Sequence, residues 1–359
     1  MLLTQLYIIN NVVEANMNPI TKGLMALLVA MLLVATAILT TPMKVVAANS
    51  PSSSATNANT TNASTSISQT VIKNSTIISQ GSSNQAKIKV VASFFPIYEF
   101  VKAVGGDRID ASVLIPIGAE PHDFDPTIQQ IQNVQTADVL VYNGAGMEAN
   151  WINKTSPKFS VDSGKGINLL AGNDPAIHAP ADPHIWLDPI LAIHQVENIR
   201  DGLVKVDPKN AAYYNQNAQK FIGQLKSLDA SIKSQLSSSN CQKRDFVTFH
   251  QAFAYLAKEY GLNQHSIHQG LTPEGEILPQ RLVEIIKLAD NLGINVIYSE
   301  DLIDPRSAQT IAQEIPNGKV MVLSPIEGIK PDEQKTGVGY LDKMNQDVAA
   351  LKVGLQCRA

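Results

Sequence analysis

His122 in "GAEPHDFDP", His184 in "ADPHIWLDP" and His250 in "VTFHQAF" are three of the chain's seven histidines. His122 and His250 stand in loops beyond runs that read as β-strands, and His184 lies in the long loop after "FSVD", which also reads as a strand. Glu327, in "VLSPIEG", follows a fourth such run. Neutral imidazole offers a metal one nitrogen lone pair, and a carboxylate adds an anionic oxygen. Three imidazoles with one carboxylate make a four-coordinate donor set suited to Zn2+, whereas Mn2+ prefers more oxygen ligands. Glu300 and Asp301, at the end of "INVIYSED", compete with Glu327 for the fourth place. His178, His194, His265 and His268 lack the strand-end placement. His194 falls within a helical stretch, "HSIH" sets His265 and His268 on opposite strand faces, and His178 lies in an acidic loop where it could help capture an ion.

Such loops need strands and helices to hold them. From residue 87 onward, short β-branched runs alternate with amphipathic segments, the α/β signature. "KIKVVASF", "DASVLIP", "DVLVYNG" and "FSVD" read as strands, with helices over 96–105 and 125–137 and around Trp151. Helices over 188–206 and from 207 to about 236 follow, each opened by an Asp-Pro pair. In such a pair the aspartate can cap free N–H groups and proline suits the first turn. The second helix would run about 28 residues, or about 42 Å. The alternation then restarts, with strands at "DFVTF", "LNQHSI", "INVIYS" and "KVMVL". Helices fall between them, among them 279–293 and 304–315, and a last one closes the chain. In open α/β sheets, ligand groups gather beyond the carboxyl ends of strands, so three histidines and a glutamate would meet between two sheets.

The first quarter has a different character. Residues 23–41 are apolar or small throughout, between Lys22 and Lys44, and read either as a secretory signal starting at Met17 or as a retained anchor. Residues 49–85 are rich in Ser, Thr and Asn and cannot bury a core, so they read as a tether. They carry sequons at Asn59, Asn62 and Asn74, and another lies at Asn153. A membrane segment, a polar tether and a folded region suit work outside the membrane. A net charge of -4 gives no electrostatic footprint for nucleic acid. The two cysteines, Cys241 and Cys357, exclude a zinc-finger framework. They flank the second α/β run, and export favours a disulfide between them.

"VVASFFPIYEFVKAVGGD", "PHDFDPT", "DPHIWLDP", "TFHQAFAYLAKEYGL" and "SEDLIDPRSAQTIAQE" occur in this order over residues 87–357. In these motifs the chain resembles the metal-binding solute-binding proteins of zinc and manganese ABC importers, the zinc-uptake substrate-binding family. The resemblance implies an α/β fold of two lobes, each a mostly parallel sheet with flanking helices, joined by one long rigid helix. Composition and resemblance together divide the chain into a signal or anchor (1–48), a tether (49–86), a first lobe (87–206), a linking helix (207–237) and a second lobe (240–357).

The resemblance also implies transport of Zn2+, with Mn2+ as the alternative, and delivery to an ABC permease with its ATPase. His122, His184 and His250 fall on the family's first three ligand positions. Ser324 stands where many members have an aspartate ligand, and "SPIEG" matches an alternative loop in which Glu327 is the fourth. The His-rich loop of some zinc members is reduced here to "NDPAIHAPAD", and no cysteine near the apolar segment offers a lipid anchor. The expected protein is an extracytoplasmic monomer at the outer face of the membrane, or secreted if the signal is cleaved, and not an enzyme. The rival readings are a zinc-stabilised adhesion or structural module and a zinc hydrolase. Asp123, Asp125, Asp182 and Asp188 are candidates to orient the imidazoles.

Overall fold

Four parallel strands pair in the order β2-β1-β3-β4. They are β1 (Ile88–Ala92), β2 (Ile109–Val113), β3 (Val139–Tyr142) and β4 (Ser160–Asp162). A second parallel sheet has the order β6-β5-β7-β8, from β5 (Asp245–Thr248), β6 (Asn263–Ser266), β7 (Val296–Ser299) and β8 (Lys319–Val322). The same winding is thus used twice. The computed structural model describes residues 86–172, 181–273 and 277–358. The expected signal, the tether up to residue 85 and His178 lie outside the described residues. Among the described residues no helix is long and apolar enough to cross a membrane.

Strands buried on both faces read as continuous apolar runs, and here the period of two sorts their side chains into separate cores. Val90, Ala92, Val139 and Val141 of the first sheet, with Phe246, Val296 and Tyr298 of the second, share one hydrophobic cluster. The alternate residues Val91 and Leu140 pack with Val134 and Trp151 on the outer face of the first sheet. Val247 and Ile297 pack with Ile285 and Ile311 outside the second. The shared cluster runs on into the helices between the sheets.

Those helices are α1 (Phe95–Gly105), α3 (Pro189–Val206) and α4 (Ala211–Gln235). Along α4, Tyr214, Ala218, Phe221, Leu225, Leu228 and Ile232 are buried. Their alternating spacing of four and three keeps one stripe facing the core over the whole helix. Its 25 residues span about 38 Å. In the chain it follows the first sheet and precedes the second. The remaining α-helices among the described residues are α2 (Ile128–Thr136), α5 (Ala254–Tyr260), α6 (Pro279–Leu292), α7 (Arg306–Glu314), α8 (Pro331–Thr336) and α9 (Tyr340–Gly354). Gly261 and Gly293 end α5 and α6 in the left-handed conformation, at φ of 62° and 61°.

Three local expectations are corrected. The segment around Trp151 is a short 3-10 turn over Ile152–Lys154, not a helix. Glu148 folds back to accept the Asn143 and Gly144 N–H groups, and a run of consecutive turns over 145–150 takes the place of a helix. Helix α2 is capped by Thr127 and Gln130 in a reciprocal box, so Asp125 is left at the surface to pair with Lys154. The Asp207-Pro208 pair opens a 3-10 turn, because Asp207 Oδ2 is taken by the Tyr214 hydroxyl and Asn210.

Candidate metal centre

The cluster is assembled by strand ends. His122 sits in the loop after β2, and His250 follows β5 by two residues. Glu327 lies in the loop after β8. His184 precedes the turn that leads into α3, whose first free N–H groups are capped by Asp188 through Ile190. Nε2 of each histidine and a carboxylate oxygen of Glu327 lie within 4.8 Å of one another, and all four residues are buried.

Finer distances decide what this set can do. Zinc with ligands at about 2.0–2.1 Å in a tetrahedron holds its ligand atoms about 3.3–3.4 Å apart. Here His184 Nε2 is 3.3 Å from His122 Nε2 and 3.3 Å from His250 Nε2. Glu327 Oε1 lies 3.1, 3.0 and 3.4 Å from the nitrogens of His122, His184 and His250. Five edges therefore match the tetrahedron within a few tenths of an ångström. A single proton on His184 Nε2 cannot serve its three neighbours at once.

The far sides of two rings are fixed by carboxylates. His184 Nδ1 donates to Asp182 Oδ1 at 2.7 Å, and His250 Nδ1 donates to Glu300 Oε1 at 2.6 Å. Each carboxylate oxygen also accepts its histidine's backbone N–H, at 2.9 and 3.0 Å. A proton held on Nδ1 leaves Nε2 with its lone pair aimed at the centre. Once all three Nε2 atoms are deprotonated, their lone pairs and the anionic oxygen repel one another, and a cation relieves that repulsion.

Of the four aspartates proposed to orient the imidazoles, Asp182 alone does so. Asp123 and Asp125 are exposed, and Asp188 serves α3. Glu300 is the residue whose role the sequence left misplaced. It holds His250 from behind instead of joining Glu327 at the front. The order β6-β5-β7-β8 explains why, since β5 and β7 are neighbours and their C-terminal loops must touch. Asp301 and Ser324, the other rivals, bond to each other at 3.0 Å, and Asp301 also pairs with buried Lys343. His194 is exposed, His265 pairs with Asp245 at 2.9 Å, and His268 lies past the end of β6.

Behind His184, Asn143 Nδ2 donates to the Pro183 carbonyl at 2.9 Å. Burial pushes the Glu148 carboxyl that supports Asn143 up to about 7, against the pull of the N–H groups it accepts.

Burial works against charge on every ring, but their neighbours differ. For His250 the Glu300 and Glu327 carboxylates override burial and hold its pKa well above the ordinary histidine value. Asp182 and Glu327 raise His184 in the same way. Burial prevails at His122 and lowers it. For Glu327, burial is overridden by His122 and His250, which keep its carboxyl well below the usual range. An ion on Nε2 must displace any proton there. Affinity is therefore fully developed above the raised pKa values of His184 and His250 and is lost as pH falls through them. Because these lie above the ordinary value near 6.5, zinc affinity should start to fall at a higher pH than unperturbed imidazoles would allow. Chelator competition between pH 8 and pH 5 checks this, and a flat profile would mean that histidines do not dominate the site.

Fold and cluster together define a twofold-wound α/β protein with a buried centre able to hold one metal ion. A family model described as the periplasmic zinc-uptake complex component A, ZnuA, matches residues 90–354, and the chain belongs to that family. It is 38% identical over 299 residues to the high-affinity zinc uptake system protein ZnuA of Bacillus subtilis, covering 79% of this chain and 92% of the relative. It is also 38% identical over 294 residues to the zinc-binding protein AdcA of Streptococcus pyogenes, covering 75% of this chain but 56% of that longer protein. Among solved structures, Zn(II)-bound AdcA from Streptococcus pneumoniae is similar with a TM-score of 0.67 at 34% identity, covering 76% of this chain and 59% of that one.

Proposed function

We propose that this protein binds one Zn2+ outside the cytoplasm through His122, His184, His250 and Glu327 and delivers it to the permease of an ABC importer with its ATPase. The observation that carries the reading is the set of near-tetrahedral edges among three Nε2 atoms and one carboxylate oxygen. The N-terminal apolar segment would hold the protein at the outer face of the membrane if retained, or release it as a secreted protein if cleaved, and it would work as a monomer. Catalytic zinc keeps an open coordination position, whereas here Glu327 fills the fourth place, which favours carriage over hydrolysis. A structural zinc would be needed for folding. An importer must give its ion up, so the metal-free protein should keep its secondary structure and a cooperative thermal transition.

Titration of residues 86–359 with Zn2+ is expected to give one tight site per chain. Two equally tight sites would refute the assignment. Competition with Mn2+ tests selectivity. His250→Glu would leave two imidazoles and two carboxylates, and the zinc-to-manganese affinity ratio should fall, chiefly through weaker zinc binding. Zinc should still bind more tightly, because the Irving–Williams order favours it at N/O sites. An unchanged ratio would count against His250 as a ligand.

A further inference from the structure

We propose that Trp186 is a positioning residue that governs how long the centre retains its ion, by tying the Glu327 loop to the His184 segment. The proposal rests on the metal-site reading above. Trp186 is fully buried, and its ring lies 5.2 Å from that of His184 and edge-on to Phe94 at 5.0 Å. Its Nε1–H donates to the Pro325 carbonyl at 2.8 Å, across 139 residues of sequence. Its own carbonyl accepts the Tyr340 hydroxyl of α9 at 2.6 Å. One rigid side chain thus touches the ring of one ligand and grips the backbone two residues from another.

The loop it grips needs holding. Ile326, between Pro325 and Glu327, has φ of 57°, a left-handed conformation that a β-branched residue adopts only when its surroundings impose it. From within the second half of the chain, Ser324 is fixed by Asp347 through its N–H and by Asp301 through its hydroxyl. The Ser324 hydroxyl in turn accepts the Ile326 N–H at 3.1 Å. These bonds shape the loop but do not join it to the His184 segment. The Trp186 indole makes that connection, so losing it should free Glu327 to swing away from the imidazoles and open an exit for the ion.

The test is stopped-flow release of Zn2+ into excess chelator. Trp186→Phe keeps an aromatic ring against Phe94 and removes the N–H donor together with part of the indole's volume. Release should quicken by roughly tenfold, the factor expected when one buried hydrogen bond is lost, with association within about twofold of the parent. In an E327Q background the same change should add less than about twofold, because the indole acts through Glu327. That non-additivity separates positioning from a general loosening of the core. Parent-like release from Trp186→Phe, or full additivity with E327Q, would overturn the proposal. If Trp186→Phe fails to fold by circular dichroism, Tyr340→Phe decides: faster release supports the tie and unchanged release refutes it. His184→Ala run alongside keeps the two readings apart, since undiminished zinc affinity there would remove the metal site itself.

Discussion

His184→Ala is expected to weaken zinc binding more than about 100-fold, the largest effect of any single substitution in the centre. His184 Nε2 lies 3.3 Å from both other imidazole nitrogens and 3.0 Å from Glu327 Oε1, so it touches every other member of the set. Its removal opens a buried void and leaves Asp182 without the ring N–H that it accepts at 2.7 Å. The residues behind the ligands give a graded comparison. Asp182→Asn and Glu300→Gln keep volume but weaken the hold on the Nδ1 proton, and each should cost roughly 10–100-fold. His265→Ala is the control, because that ring pairs with Asp245 away from the cluster and should leave affinity untouched. Chelator competition at pH 7.5 measures these four and Glu327→Gln beside them. Full affinity in His184→Ala would sink the site, and Glu300→Gln exceeding Glu327→Gln would exchange the roles of the two glutamates.

Much of this centre is written locally in the chain. A strand can be read from its β-branched run, and the loop beyond its carboxyl end is where ligand groups gather, so the three histidines and Glu327 could be singled out without coordinates. Which carboxylate faces the ion and which stands behind a ring is different information. Glu300 and Glu327 each follow a strand, and their chemistry is identical. Only the placement of β7 beside β5 sends Glu300 to the back of His250.

The Asp-Pro pairs show the same limit at helix starts. Asp188 caps α3, and Asp304 accepts the first N–H of α7 from Arg306 at 3.0 Å. Asp125 loses to the Thr127–Gln130 box, and Asp207 is claimed by a tyrosine seven residues on. Propensity names the candidates for a cap, and tertiary partners choose among them. The pairing of Lys343 with Asp301 and Glu333 had no local signal, since it joins α9, the end of β7 and α8 across sequence distances that no periodicity spans.

The last expected result concerns the disulfide. Cys241 and Cys357 are bonded, across a sequence separation of 116, as their positions around the second α/β run led us to expect. In the chain-entropy account, opening a loop of that length costs about 4–5 kcal/mol of stability. For a protein of this size that is a fall in Tm of roughly 8–20 °C. The bridge has backbone support: Lys243 N–H donates to the Leu355 carbonyl at 3.0 Å, and Arg358 N–H donates to Asn240 at 2.9 Å. It pins the end of α9 to the segment that enters β5. That is the amino end of the strand, whereas His250 lies beyond its carboxyl end. The four residues of β5 put about 13 Å between the two. Cys241→Ser with Cys357→Ser should therefore lower the urea midpoint strongly while changing zinc affinity by less than about threefold. Reduction of the native protein should reproduce the loss. Equal unfolding midpoints for the oxidised and reduced forms would mean that the bridge adds nothing to the hydrogen bonds beside it. A parallel collapse of zinc affinity would mean that the two ends of the second sheet are coupled, and that the ligand loops depend on how the C-terminus is anchored.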